Sequence, residues 1–209
     1  MRQAKASAPG KIILFGEHAV VYQRPAIAIP IHQVQATATV IEDHTHPNRG
    51  LFIQAPQINL QTSYASLSAE HPIALLLHLI LETLHVDKCP DLTLTLESTI
   101  PLASGMGSGA AISVAAIRAF SAFFDFPLSL EQVNSIAFQV EKKYHGTPSG
   151  IDNTVITYEQ PIFFVRGTPF QRLQLGQPIT LIIADSGIPS TTLEVVADVR
   201  RGWQEDPQT

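Results

Sequence analysis

The chain has 209 residues, of which 45% are hydrophobic and 15% are charged, and its formal net charge at pH 7 is −5. This length and composition fit one large or two small folded domains with enough apolar residues for a core. The acidic balance argues against broad nucleic-acid binding, which needs a basic face, so small molecules are the expected partners. The single cysteine, Cys89, cannot form an internal disulfide, which is compatible with a reducing cytoplasm.

The hydrophobic pattern predicts neither a secretory signal nor a membrane span. Met1 leads into polar and charged residues, and the longest apolar run, residues 73–81, falls short of the ~20 residues that cross a bilayer. We therefore expect a cytoplasmic protein without membrane partners. The sequence leaves open whether the protein forms a homodimer.

The predicted elements are mainly strands in the first third of the chain and a mixture afterwards. Runs rich in β-branched residues predict strands at residues 11–15, 26–31, 34–40 and 51–54. A buried helix over residues 72–86 and an alternating strand over 92–97 follow, and Ser129 with Gln132 forms a capping box for a later helix. Further strands are predicted at residues 153–158, 161–165 and 179–184, and a helix at 190–203. This irregular order predicts an α+β fold.

Residues 101–111, PLASGMGSGAA, place three glycines at alternate positions before an apolar helix. Free backbone N–H groups at a helix start, together with positive-φ glycine conformations, favour phosphate binding. A tight turn without a ligand is the alternative. A P-loop is excluded, because it needs a lysine directly after its last glycine and no Lys or Arg occurs between Lys88 and Arg118. A dinucleotide fingerprint needs a strand that runs directly into the loop, and Pro101 interrupts that entry.

Three charged residues are candidates for chemistry. Lys11 begins an apolar strand and either clamps phosphates or only extends along the surface. Glu141 lies near a helix C-terminus, where the macrodipole disfavours an anion, so it indicates a cation partner or a surface ion pair with Lys142 or Lys143. Asp152 follows a glycine- and proline-rich loop, where it is a catalytic candidate or a simple cap.

The histidines do not predict a metal site. His71, His78 and His85 recur every seven residues, which separates neighbours by about 10 Å along a helix, too far to share one metal. We interpret them as structural.

Three groups of residues carry a family resemblance: residues 9–22 (PGKIILFGEHAVVY), the glycine-rich residues 101–111, and Glu141 with residues 145–153 (HGTPSGIDN). Together they resemble the GHMP small-molecule kinases, and within them the mevalonate kinase family. The glycine-rich motif alone indicates only the superfamily, whereas the other two motifs are much narrower. The resemblance covers essentially the whole chain.

The resemblance implies a ribosomal-protein-S5-like N-terminal domain, here residues 1–185, and a ferredoxin-like C-terminal domain of which residues 186–209 form a truncated start. It implies ATP-dependent phosphorylation of the C5 hydroxyl of mevalonate, giving 5-phosphomevalonate and ADP, with Mg²⁺ as cofactor. A GHMP kinase for another small alcohol of the isoprenoid pathway and a non-catalytic ATP- or metabolite-binding protein or sensor stay open.

The resemblance also assigns roles by position. Asp152 matches the catalytic aspartate, Lys11 the lysine near the phosphates and the reacting hydroxyl, and Glu141 the Mg²⁺ carboxylate. The implied ATP contacts are Lys11, Ser98, Ala103, Ser104, Gly105, Met106, Gly107, Ser108, Gly109 and Ala110. The implied mevalonate contacts are Glu17, His18, Ser149, Asp152 and Thr192. Gly109 replaces the serine that usually binds Mg²⁺, so Ser108 or a water would fill that position.

Overall fold

A seven-stranded mixed sheet forms the core of the computed structural model, which describes residues 1–101, 103–145, 148–184 and 201–202. The strands are β1 Gln3–Phe15, β2 Ala26–Glu42, β3 Leu51–Ala55, β4 Leu60–Ser63, β5 Leu92–Ser98, β6 Ile162–Phe164 and β7 Gln171–Arg172. The helices are α1 Pro72–Thr83, α2 Ser108–Phe123, α3 Leu130–His145 and α4 Ile151–Tyr158. The α+β class predicted from the sequence is confirmed.

The long strand β2 organises the sheet. It pairs antiparallel with β1 along most of its length, and its opposite edge is shared between β5 and β6. The sheet continues from β5 through the parallel strand β3 to β4, and from β6 to β7. Residues 32–34 of β2 have no partner on β1, because the register shifts between Pro9 and Gly10. The two strands predicted at 26–31 and 34–40 are therefore one strand with a bulge.

Helices rich in small, apolar side chains cover one face of the sheet. α2 packs on β1, β2 and β5, and α4 packs on β1 and β2. The contact is close because both sides of it are rich in alanine. The fully buried alanines are Ala28, Ala36 and Ala38 on β2 and Ala111, Ala115, Ala116 and Ala119 on α2. This close packing brings the start of α2 next to the strand that carries Lys11.

Two of the predicted strands are wrong. Residues 153–158 are β-branched and predict a strand, but they form most of α4. They are buried almost throughout, and Thr154 Oγ1 donates a hydrogen bond of 2.6 Å to Gly150 O, so packing outweighs a small helix-propensity deficit. The predicted strand at 179–184 has no regular structure, and the helix at 190–203 lies almost wholly outside the described residues. No helix in the described part of the chain has the length and apolar character needed to cross a membrane.

Candidate functional site

Lys11 and Asp152 form an ion pair at the centre of the candidate site. Lys11 Nζ lies 3.0 Å from Asp152 Oδ1, and the lysine side chain is only 3% exposed. β1 supplies the lysine and the first turn of α4 supplies the aspartate, so the pair joins two distant parts of the chain. This burial excludes the alternative in which Lys11 extends along the surface towards solvent.

The glycine-rich loop is fastened to the same lysine. The backbone N–H of Lys11 donates a hydrogen bond of 3.0 Å to Met106 O. Gly107 has a φ of +74°, and a Cβ at this position would lie 2.9 Å from Ile156 Cδ1 and 3.0 Å from Lys11 Cγ. Only glycine therefore allows the loop to pack against the lysine stem in this conformation.

The loop has the backbone conformation that the sequence predicts for an anion site. Its positive φ values are 56° at Ala103, 73° at Gly105 and 74° at Gly107, and Ser104 Oγ donates a bond of 2.8 Å to Pro101 O. α2 begins immediately afterwards, and the first N–H groups of a helix have no acceptor within the helix. The loop and helix start therefore offer donors to a phosphate.

Glu141 faces this helix start from α3. Its side chain is buried, and a Cβ on Gly109 would lie 3.5 Å from Glu141 Oε1. Burial raises the pKa of Glu141 to about 7, with a further increase from Asp152 and an opposing decrease from Lys11. The sequence alternative of a surface ion pair is wrong, because Lys143 pairs with Glu70 and Lys142 lies 4.7 Å from the Phe138 ring centroid.

Three carboxyl groups among the described residues act on the charge of Lys11. Burial alone would lower the pKa of Lys11, but Asp152, Glu17 and Glu141 outweigh that effect and hold it above its ordinary value. These carboxyl groups, when ionised, would also attract a second cation, which would offset the charge of a phosphate.

Mg²⁺ fits this site only as a partner of phosphate groups. The described residues contain no group of three or more His, Cys, Asp or Glu side chains arranged to hold a metal. Mg²⁺ nevertheless commonly uses one or two carboxylates, several waters and the substrate phosphates. The Glu141 carboxylate beside the glycine-rich loop is a group of this kind, and Ser108 at the start of α2 stays a predicted second ligand.

The other predicted site residues fall into two groups. His18, with a φ of 62°, and exposed Glu17 lie just after β1. Two serines make local backbone contacts: Ser98 Oγ accepts from Ile100 N at 3.0 Å, and Ser149 Oγ accepts from Ile151 N at 3.3 Å. Their ligand contacts stay predictions. Thr192 lies outside the described residues.

One buried contact at the site carried no signal in the sequence. Asn153 Nδ2 donates a hydrogen bond of 2.6 Å to Asn134 Oδ1, and Asn153 is only 2% exposed. The bond joins α4 to α3, and hence the helix of Asp152 to the helix of Glu141. Asn134 stands in an ordinary amphipathic pattern, so only the packing of the two helices identifies it.

Comparisons with known proteins agree with this geometry. Residues 73–160 match the family model described as the GHMP kinases N terminal domain. The chain is 34% identical over 222 residues to a mevalonate kinase of Pyrococcus abyssi and 32% identical over 216 residues to one of Thermococcus sibiricus. The matches cover 99% and 97% of this chain, and 64% and 63% of those relatives.

A solved structure extends the match to three dimensions. The crystal structure of L. major mevalonate kinase in complex with R-mevalonate superposes with a TM-score of 0.77 at 33% identity, covering 98% of this chain and 62% of that one. The chain thus spans a little under two thirds of the length of these relatives. Its sequence motifs, its α+β fold and these matches together show that the chain belongs to the GHMP kinases and contains their N-terminal domain.

Proposed function

We propose that this protein transfers the γ-phosphoryl group of ATP to the C5 hydroxyl of mevalonate, giving 5-phosphomevalonate and ADP. The observation that carries the proposal is the double engagement of Lys11: its backbone N–H binds the glycine-rich loop at Met106 and its ammonium binds Asp152. A phosphate-binding loop, a cation and a carboxylate are thereby held at one point. Phosphoryl transfer depends mainly on such positioning and charge stabilisation.

In this proposal each part of the loop and the ion pair has one task. The N–H groups of residues 105–110 bind the phosphates of ATP, with further contacts from Ser98, Ala103 and Ser104. Lys11 offsets the negative charge that develops on the transferred group and on the attacking oxygen. Asp152 accepts the proton of the C5 hydroxyl or orients that hydroxyl, and its 30% exposure leaves it accessible to a substrate.

Mg²⁺ is the proposed cofactor, and Glu141 and Ser108 are the residues that would hold it. When bound, the ion neutralises phosphate charge and orients the ATP phosphates for transfer. Glu141 suits this role because its carboxylate is buried and faces Gly109 at the start of α2, next to the loop proposed to bind the phosphates. The small Gly109 leaves space at this point, which a water ligand can occupy.

Mevalonate is the proposed acceptor because the relatives described above are mevalonate kinases and one was solved with R-mevalonate. The residues proposed to contact it are Glu17 and His18 after β1, Ser149 before α4, and Thr192. We also propose that residues 1–185 form the ATP-binding domain, that residues 186–209 begin a second domain, and that the protein is cytoplasmic.

The test is the transfer of radioactive phosphate from γ-labelled ATP. We expect labelled 5-phosphomevalonate with mevalonate as acceptor, and no product with phosphomevalonate or galactose. Calorimetry with a non-hydrolysable ATP analogue and each acceptor measures binding in parallel. Labelling of a different isoprenoid alcohol would identify another GHMP kinase, and binding without transfer would identify a sensor. Either result would overturn the proposal.

A further inference from the structure

Arg118 makes contacts behind the candidate site that the family motifs do not account for. It lies on α2, ten residues after Ser108, and therefore about 15 Å along the helix from the phosphate-binding end. Its side chain is 23% exposed and forms an ion pair with Glu159. Its hydrogen-bond partners lie on β1 and at the end of α4, the two elements that supply Lys11 and Asp152.

A single guanidinium group joins three elements. Arg118 Nη1 donates to Ser7 O on β1 at 3.0 Å and to Glu159 Oε1 at 2.6 Å, and Arg118 Nη2 donates to Thr157 O at 2.9 Å. β1 also carries Lys11, and α4, which contains Thr157 in its last turn, also carries Asp152. Arg118 on α2 thus links the strand and the helix that supply the two residues of the ion pair.

α4 needs such an attachment. It has only eight residues, and isolated helices of that length are marginal in water. The Asn153–Asn134 hydrogen bond attaches its first half to α3. Arg118 binds a terminal carbonyl and the carboxylate that follows the helix, which are favourable partners for a cation at a helix C-terminus. Arg118 therefore adds polar contacts to the second half of α4, which is also held by its burial and by the hydrogen bond from Tyr158 Oη to Glu131.

We infer that Arg118 is a positioning residue for phosphoryl transfer: it fixes α4 on β1 and α2 so that Asp152 stays within hydrogen-bond distance of Lys11. This inference rests on the proposed function. Arg118 touches no reacting atom, and it acts through the placement of Asp152. Lysine cannot replace it, because one ammonium group does not reproduce the directional fork that reaches three acceptors on two elements.

The test compares R118K with R49K, a matched control at the far end of the β1–β2 pair. Arg49 is similarly exposed, at 26%, and pairs with Asp43 at 3.3 Å. We expect R118K to lower kcat roughly ten- to hundredfold, as small misplacements of catalytic groups do. KM for ATP should change less than about threefold, because the loop is untouched. R49K should change neither constant.

A second readout does not depend on activity. Lys11 is buried and paired, so we expect it to react slowly with acetic anhydride, with peptide mass spectrometry reporting the rate. R118K should accelerate Lys11 acylation severalfold, while R49K should not. A purely structural role for Arg118 would lower the melting temperature and leave both kcat and Lys11 acylation as in R49K, and an unchanged value in either readout overturns the inference.

A milder variant keeps the test informative if R118K does not fold. E159Q keeps the two carbonyl contacts of Arg118 and removes its ion pair, together with the longer contact of 3.8 Å between Glu159 Oε2 and exposed His32 Nδ1. We expect a smaller change in the same direction. If R118K does not fold, unchanged Lys11 acylation in E159Q overturns the inference. If the wild-type chain does not phosphorylate mevalonate, the proposed function fails, and the acylation rates alone then decide whether Arg118 holds the pair.

Discussion

Two regions of the β1–β2 pair carry charge clusters of opposite character. Near the middle of β1, Lys11, Glu141 and Asp152 are gathered among apolar side chains beside the glycine-rich loop. Just after the end of β2, Asp43 accepts hydrogen bonds from Thr45 N and Thr45 Oγ1, at 2.9 and 2.6 Å. His46 and Arg49 complete this second cluster.

The difference lies in whether each charge finds its partners locally. The second cluster spans residues 43–49, so the partners of Asp43 come from the same turn of the chain. Their contacts hold the pKa of Asp43 below its usual range. The first cluster collects residues from three elements, leaves Glu141 with a raised pKa, and gathers more carboxylates than cations. Perturbed pKa values of this kind are concentrated at functional sites, which favours the first cluster as the candidate site. The comparison predicts that equal substitutions will affect function only in the first cluster.

The largest effect is expected from D152N. The substitution keeps the shape of the side chain and removes its charge and basicity, so phosphoryl transfer should fall by ~10²–10⁴-fold, the usual contribution of general-base catalysis. ATP affinity, measured by calorimetry, should stay within a few-fold of the wild type. D43N is the matched control and should leave turnover unchanged. Near-normal turnover in D152N would refute the assignment of Asp152.

The next effect is expected from E141Q. Removing the buried carboxylate beside Gly109 should increase the Mg²⁺ concentration needed for half-maximal activity, because the ion loses a charged ligand. A Mg²⁺ titration of nucleotide binding provides the same information without turnover. An unchanged titration would mean that Glu141 does not contribute to the metal site.

E141Q should also change how stability depends on pH in the metal-free chain. The pKa of Glu141 is about 7 in the folded state and about 4.3 in an unfolded chain. The folded state therefore binds the extra proton more tightly, and its stability falls as pH rises from about 4.5 to 7. The loss is at most on the order of 4 kcal/mol, since one pKa unit corresponds to about 1.4 kcal/mol. E141Q should remove this loss, so thermal melts at pH 5 and pH 8 should differ less than in the wild type.

The sequence predicted the fold class and the members of the first cluster, whose roles stay predictions, but not every element of the fold. Lys11, Glu141 and Asp152 stand in short motifs whose residue types already indicate phosphate chemistry, and the structure brings all three together. Residues 153–158 were misassigned as a strand because their β-branched pattern does not report burial on every side. The partners of Arg118 and Asn153 could not be predicted from the sequence. They lie on elements far apart in the chain, and hydrophobic periodicity reports only local structure.

A smaller effect is expected from G109S. Gly109 has ordinary helical backbone, and a Cβ there would meet Glu141 Oε1 at 3.5 Å, an ordinary contact distance. The helix start should accept serine, which is favourable near an N-terminus. The added hydroxyl, next to Glu141, should tighten Mg²⁺-nucleotide binding by only a few-fold. A large fall in melting temperature would instead show that Gly109 is needed for close packing, and that the proposed metal position is wrong.

The smallest effect is expected from D43N in the second cluster. Its partners are local, so the substitution should lower the melting temperature by no more than a few degrees and leave phosphoryl transfer unchanged. Because hydrogen bonds from Thr45 hold the pKa of Asp43 below its usual value, the carboxylate stabilises the fold at neutral pH. That contribution is lost as pH falls below about 4 through the lowered folded-state pKa. The melting temperatures of D43N and the wild type should therefore converge in acid. A loss of turnover in D43N would contradict the separation of the two clusters, because it would couple the far end of the β1–β2 pair to the site at Lys11.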